Sequence, residues 1–192
     1  MMDAYIDFLK TLFPAIDPYT AARAKDAVKE FSRYGRKGCF LTFPADDGFQ
    51  QGDIFSGVPF SFVADDGQVR IMVSYGILLN NTCDAVRSER LQFAAMSSLK
   101  DYSQDSAILD AVKSNINYDY LYFPDQKVDD KFANFNLIGS VSRDAFQKSI
   151  KVGKTERVAS LNATGYFLFL TKLTVYLMRP EDTEVYASRE NN

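Results

Sequence analysis

The sequence predicts an α+β fold, with helices gathered against a small antiparallel, partly closed sheet. Three observations predict it. Helical spacing opens the chain, a run of short strands punctuated by Gly and Pro follows, and helix returns at the end; such block order favours α+β. At 192 residues, 46% apolar and 24% charged, the chain is long enough to bury one sizeable core. Its 16 Phe and 11 Tyr, with no Trp, predict that this core is aromatic. No repeat, low-complexity tract or linker divides the chain. Residues 1–192 therefore read as one domain: a helical region over 1–37, a β-rich core over 38–141, C-terminal helices over 142–180 and a polar tail over 181–192.

Tyr5, Phe8, Leu9, Leu12 and Ile16 recur at helical spacing and predict an amphipathic first helix. Asp17-Pro18 stops it and starts a second, since Asp caps and Pro fits the first helical position. That helix turns Ala24, Val28, Phe31 and Tyr34 inward and ends near Gly35 or Gly38. Cys39–Phe43 reads as a strand closed by Pro44. Gly52–Phe55 continues through Val58–Val63, with Pro59 marking a break, bulge or edge. Asp65-Asp66-Gly67 signals a hairpin. Val69, Ile71 and Val73 alternate with Arg70, Met72 and Ser74 on the returning strand, and Ile77–Leu79 reads as buried on both faces.

Further strands are predicted at Leu91–Met96, Asp119–Phe123 and Phe135–Val141. Helices are predicted from Ser103 or Asp105 and from Ser142. Val158 to Met178 reads as a long helix that is apolar nearly all round. Its aromatic and β-branched content leaves a strand pair open as the alternative. Lys172 and three threonines interrupt the apolar run 163–178, which also falls short of the roughly 20 residues that span a bilayer.

Composition excludes several chemistries. The chain has no His and only two Cys, Cys39 and Cys83, so neither a His-based triad nor an ordinary zinc site can form. No dinucleotide or phosphate-loop glycine pattern is present, and no cofactor is expected. The Asp pairs at 46/47, 65/66 and 129/130 read as turn residues, and no metal site is expected. The N-terminus lacks the pattern of an export signal; the expected setting is the cytoplasm, with no membrane and both thiols reduced. A net charge of −3 argues against broad nucleic-acid binding and leaves a local basic face, Lys29, Arg33, Arg36 and Lys37, as the candidate contact.

One stretch concentrates polar residues at a strand end: Asn80-Asn81-Thr82-Cys83-Asp84, after Ile77-Leu78-Leu79. Cys83 lacks a partner to lower its pKa and reads as a packed thiol. Asp84 and the asparagines read as turn-forming acceptors. Asp53 reads as a backbone-bonding residue at a strand start. Together with Gly52-Asp53-Ile54 and the hairpin, this stretch resembles the PemK/MazF-like toxin family over about residues 50 to 96. The resemblance implies a small SH3-like barrel, often dimeric, and in many members metal-independent cleavage of single-stranded RNA. It also places Thr82 where the family keeps a catalytic hydroxyl. Where the family has an Arg-Pro pair, this chain has Tyr75-Gly76, so a catalytic arginine has to come from Arg70, Arg87 or Arg90. The leading expectation is a degenerate, non-enzymatic interaction module, of a toxin–antitoxin or phage-conflict kind. It would contact a protein, itself or nucleic acid through the basic helix or through Asp53, Asn81 and Asp84. An active endoribonuclease and a structural subunit assembled through the apolar C-terminal helix are the alternatives.

Overall fold

The structure, a computed structural model, describes residues 18–34, 39–44, 48–128 and 130–178. The expected first helix, Arg36, Lys37, Asp46, Asp47, Asp129 and the tail lie outside the described residues. Helix α1 (Pro18–Tyr34) buries Ala27 and Phe31, with Val28 packed beside them. Strand β1 is short (Leu41–Thr42), and β2 (Ile54–Val63) and β3 (Val69–Leu78) form the predicted hairpin. Its turn is closed by the Gly67 amide donating to the Ala64 carbonyl at 2.8 Å, with Gly67 at φ +77°. Next come α2 (Thr82–Arg87), β4 (Arg90–Ser98), α3 (Leu99–Tyr102) and α4 (Ser106–Lys113), the last capped by Asp105. Strand β5 (Tyr120–Tyr122), β6 (Lys131–Ser142), α5 (Arg143–Lys151, capped by Ser142), β7 (Glu156–Leu161) and α6 (Ala163–Met178) complete the order.

The seven strands form one antiparallel sheet in the order β1-β7-β2-β3-β4-β6-β5. It is open, and the expected barrel does not close. The reason lies in the side-chain alternation. Ile54, Ile77, Ala94 and Met96 enter one core with Ala27 and Phe31 of α1 and Leu168 and Phe169 of α6. Their neighbours Phe55, Leu78, Phe93 and Ala95 enter a second core with Ala85 of α2 and Phe146 of α5. A sheet buried on both faces needs helices on each side, and nothing remains for it to close around. Both cores carry phenylalanines, and in the second they form a cluster: Phe93 and Phe55 lie 4.9 and 5.1 Å from Phe146, and Phe49 5.7 Å from Phe55, ring centre to ring centre.

The sheet nevertheless curls. Phe60 of β2 lies across β3 and β6, where Gly76 and Gly139 leave room; a Cβ on either would stand 3.1 or 2.7 Å from its ring. Pro59 pairs with Val73 of β3, whereas β7 meets β2 only at Ile54–Ser56. Beyond that point no described strand pairs with this edge of β2, where a residue without a donor is tolerated.

Two expectations need correction at the C-terminal end. The β-rich region does not stop at 141, because β7 inserts between β1 and β2. The helix expected from Val158 begins only at Ala163. Asn162 separates the two: its side-chain carbonyl accepts the Gly165 amide at 2.9 Å, its side-chain amide donates to the Cys39 carbonyl, and its backbone N–H donates to that of Phe40. Gly165 is obligatory there, since a Cβ would stand 2.2 Å from the Phe40 carbonyl oxygen. No described helix is long and apolar enough to cross a membrane.

Candidate functional site

The two motifs singled out in the sequence meet. The Gly52 amide donates to the Leu78 carbonyl and the Leu78 amide to the Asp53 carbonyl, both at 2.8 Å. The Gln51 amide donates to Thr82 Oγ1 at 3.1 Å, and the Gln51 side chain to the Leu79 carbonyl at 2.8 Å. Gly52, at φ +88°, makes the turn that brings them together.

Asp53 is wholly buried, and both oxygens of its carboxylate accept hydrogen bonds. Ser160 Oγ donates to Oδ1 at 2.6 Å; the Gln50 amide and Arg157 Nη1 donate to Oδ2 at 2.9 and 3.0 Å. Arg157 also donates to the Gly48 carbonyl at 2.5 Å. A buried carboxylate with this set of donors is a structural joint between β2 and β7. At 0% exposure it does not meet solvent or a substrate, and it holds the strand start.

Beside this joint Thr82 opens onto a pocket of about 390 Å³ with Arg23, Gln51, Asn162, Tyr166 and Phe167. The Tyr166 hydroxyl donates to Gln51 Oε1 at 3.2 Å, and burial raises its pKa, so it is protonated at neutral pH. The Arg23 guanidinium lies 5.8 Å from the centre of the Phe167 ring. Thr82 Oγ1, already an acceptor, keeps a proton to donate. The pocket can hold a polar group by hydrogen bonds, but among the described residues nothing in it serves as a general base.

The other predicted residues are dispersed. Arg70 pairs with Asp66 at 2.7 Å in the hairpin turn. Arg90 donates to the Ser140 hydroxyl and carbonyl, both at 2.8 Å, across the β4–β6 pair. Arg87 is exposed in the last turn of α2. No hydrogen bond or ion pair joins any of the three to Thr82. Tyr75, at the position where the resemblance expects an arginine, is half-buried against the first core, with the Lys131 ammonium 4.5 Å from its ring centre. Lys29 and Arg33 are exposed on α1 and share their surface with Asp26 and Glu30.

The packed-thiol reading of Cys83 is overturned: Cys83 is exposed, because the six-residue α2 turns only Ala85 inward. Its cap is Asn81, whose side chain accepts the Cys83 amide at 3.0 Å; the Asp84 carboxylate, expected to fix this turn, is exposed in the first turn. Asn80 instead ties the loop to β4, accepting the Gln92 amide at 2.6 Å. Among the described residues no three Cys, Asp or Glu converge as metal ligands.

The sequence reading missed Arg157, Ser160, Asn162 and Tyr166, and read Arg23 only as one of the basic residues of the helix that starts at Pro18. Only Asn162 carried a readable signal, a capping residue directly before an apolar run. A comparison with protein families found none that matches the chain, and a search of curated proteins found no match either.

Proposed function

We propose that this chain is a non-catalytic, PemK/MazF-like interaction module that works as a pair of identical copies, in the cytosol, as part of a toxin–antitoxin or phage-conflict system. The observation that carries the association is a bare apolar stripe on the β2–β3 hairpin: Val63, Val69, Ile71 and Val73, each 69–75% exposed. Contiguous exposed apolar surface of this kind marks association sites. The stripe itself carries no charge; at the turn beyond it Arg70 pairs with Asp66, and Asp65 is exposed. An uncharged run of valine and isoleucine can face its own copy, as a two-fold contact requires. With the flanking Pro59 and Ser61, two stripes face to face give an interface on the order of 1,200 Å², the small end of specific contacts. Pro59 removes a donor from the edge of β2 with which no described strand pairs there, which favours the face over edge-to-edge pairing. The non-catalytic part of the reading is supported by the buried, ion-paired Asp53, the packed Tyr75 and the dispersed arginines. Sedimentation velocity over a range of concentrations tests the pairing. A dimer that Ile71→Lys converts to a monomer is expected; a wild-type monomer at high concentration overturns it.

A second reading, a ribonuclease, is favoured by one observation: Thr82 shares its pocket with Arg23, a cation the sequence reading did not place there. Incubation of the purified protein with single-stranded RNA tests it. Cleavage that both Thr82→Ala and Arg23→Gln abolish would establish the enzyme, and intact RNA would leave the binding module.

A further inference from the structure

We propose that the cleft between α5 and the start of β2 binds an aromatic oxyanion, a phosphate or carboxylate carried on a flat apolar ring. The cleft has a volume of about 620 Å³, within the range of small-molecule sites. It is separate from the hairpin stripe: its apolar wall, Phe49, Phe55 and Ile150, belongs to the aromatic second core, on the opposite side of the sheet. Phe49 and Phe55 meet edge to face at 5.7 Å and 80°, and both contact Phe146. The wall is thus held in one arrangement before any ligand arrives, which reduces the ordering cost of binding.

The polar groups lie on the same cleft: Arg143, Arg157 and Gln147. Both arginine side chains are largely sunk, 27% and 18% exposed. Both are anchored by hydrogen bonds to the protein. Arg157 Nη1 donates to the Gly48 carbonyl and to Asp53, and Arg143 Nη1 donates to the Val86 carbonyl. The two guanidinium groups are offset unequally. Among the described residues Arg157 pairs with the buried Asp53, whereas the carboxylate beside Arg143 is Asp144, 4.0 Å from Nε and 77% exposed, so solvent screens it. The Arg143 guanidinium therefore stands weakly offset at the edge of a low-dielectric apolar wall, where a carboxylate or phosphate gains most from a planar fork of donors. Gln147 adds an amide that can donate or accept beside it. A free inorganic anion would leave the aromatic wall wet, and a neutral ring would leave Arg143 without its counter-charge; the ligand that satisfies both carries the two parts together.

Titration calorimetry with phenyl phosphate and benzoate, against inorganic phosphate and phenol, tests this. At least one of the first two should bind at least tenfold more tightly than either control, and their ranking tells phosphate from carboxylate. Arg143→Gln should weaken the better probe about tenfold or more while the amide NMR fingerprint remains that of the folded protein. Ile150→Trp, which fills the cleft from its apolar wall, should abolish binding without touching either arginine. No binding of either probe at millimolar concentration, binding indifferent to both substitutions, or inorganic phosphate binding as tightly as phenyl phosphate would each overturn the proposal.

Discussion

The two ends of the β2–β3 hairpin share one pattern and meet opposite fates. At the strand-end junction, Ile54 opposes Ile77 and both are wholly buried. At the turn, Val63 opposes Val69, and both are about 70% exposed. Both ends alternate, both carry β-branched residues, and both lie in one unbroken ladder apart from the bulge between Phe55 and Val58. What differs is cover. The junction is sandwiched between two helical layers and locked by the Asp53–Arg157 pair, whereas the turn end extends beyond them. Period-two alternation thus tells which residues share a face, and only the other elements decide whether that face is covered.

The sharpest way to break the contrast is to unlock the junction. Asp53→Ala removes the partner of Arg157 and the acceptor of Ser160 and the Gln50 amide. Breaking a buried ion pair from one side costs about 3–5 kcal/mol, measured as a lower midpoint in urea unfolding. Gly76→Ala tests packing at the same end. Its Cβ would stand 3.1 Å from Phe60, 3.1 Å from Val58 and 3.3 Å from Phe93, all within a filled core. Overpacking of that kind costs about 1–3 kcal/mol. A loss below this range would mean that the Phe60 ring can slide and that the curl of the sheet is soft.

A smaller effect should appear with pH, because the cover over the buried end carries a titrating strap. Lys172 of α6 donates to the Asn115 carbonyl at 2.7 Å and also to that of Asn117. Burial lowers its pKa to about 8, against an opposing pull from Asp119. Between about pH 8 and the ordinary lysine value of 10.5, the unfolded chain holds a proton that the folded chain has lost, so stability rises with pH across that window. Tyr120 acts in the reverse sense. The hydrogen bond with Tyr102 and then burial push its pKa from 10.0 up to about 12, so the folded state keeps a proton the unfolded chain releases, and stability falls above pH 10. Thermal melting should therefore rise from pH 8, peak near 10 and decline. Lys172→Met should remove the rising limb and leave the falling one; a rising limb that survives would place its source elsewhere.

How much of this was legible follows from the range of the forces involved. Local chemistry was readable: the Pro18 helix start, the Gly67 hairpin, the Asp105 and Ser142 helix starts, and the strands around Ile77, Phe93 and Phe135 all announce themselves within a few residues. The meeting of Gly52-Asp53 with Asn80–Thr82 was suggested by their shared strand-end character. Three things were not readable. The open, two-sided sheet depends on helices from both chain ends, and alternation alone fits a barrel equally well. Strand β7 resembled the start of an apolar helix, since Val158 and Leu161 suit either period; pairing with β1 and β2 decides it. The partner of Asp53 lies 104 residues away, and no local pattern reports a buried pair across such a separation.

The finest test sits at the other end of the comparison. Ile71→Lys introduces a charge into β3, the strand that carries Gly76, yet should change stability by only about 0.5 kcal/mol or less. Ile71 is 75% exposed, so the folded monomer gains little from its side chain and lysine keeps the strand geometry. The effect should appear instead in association, because a two-fold contact places each substituted residue against an uncharged stripe and leaves both ammonium groups without counter-charges. Urea unfolding at a concentration where wild type is monomeric isolates the first quantity, and sedimentation at high concentration the second. If the midpoint falls by more than about 1 kcal/mol-equivalent in the monomer, the stripe is packed within the chain itself, and the difference between the two ends of the hairpin disappears. If the midpoint holds and the dimer is lost, the exposed end is the contact surface and the buried end its scaffold.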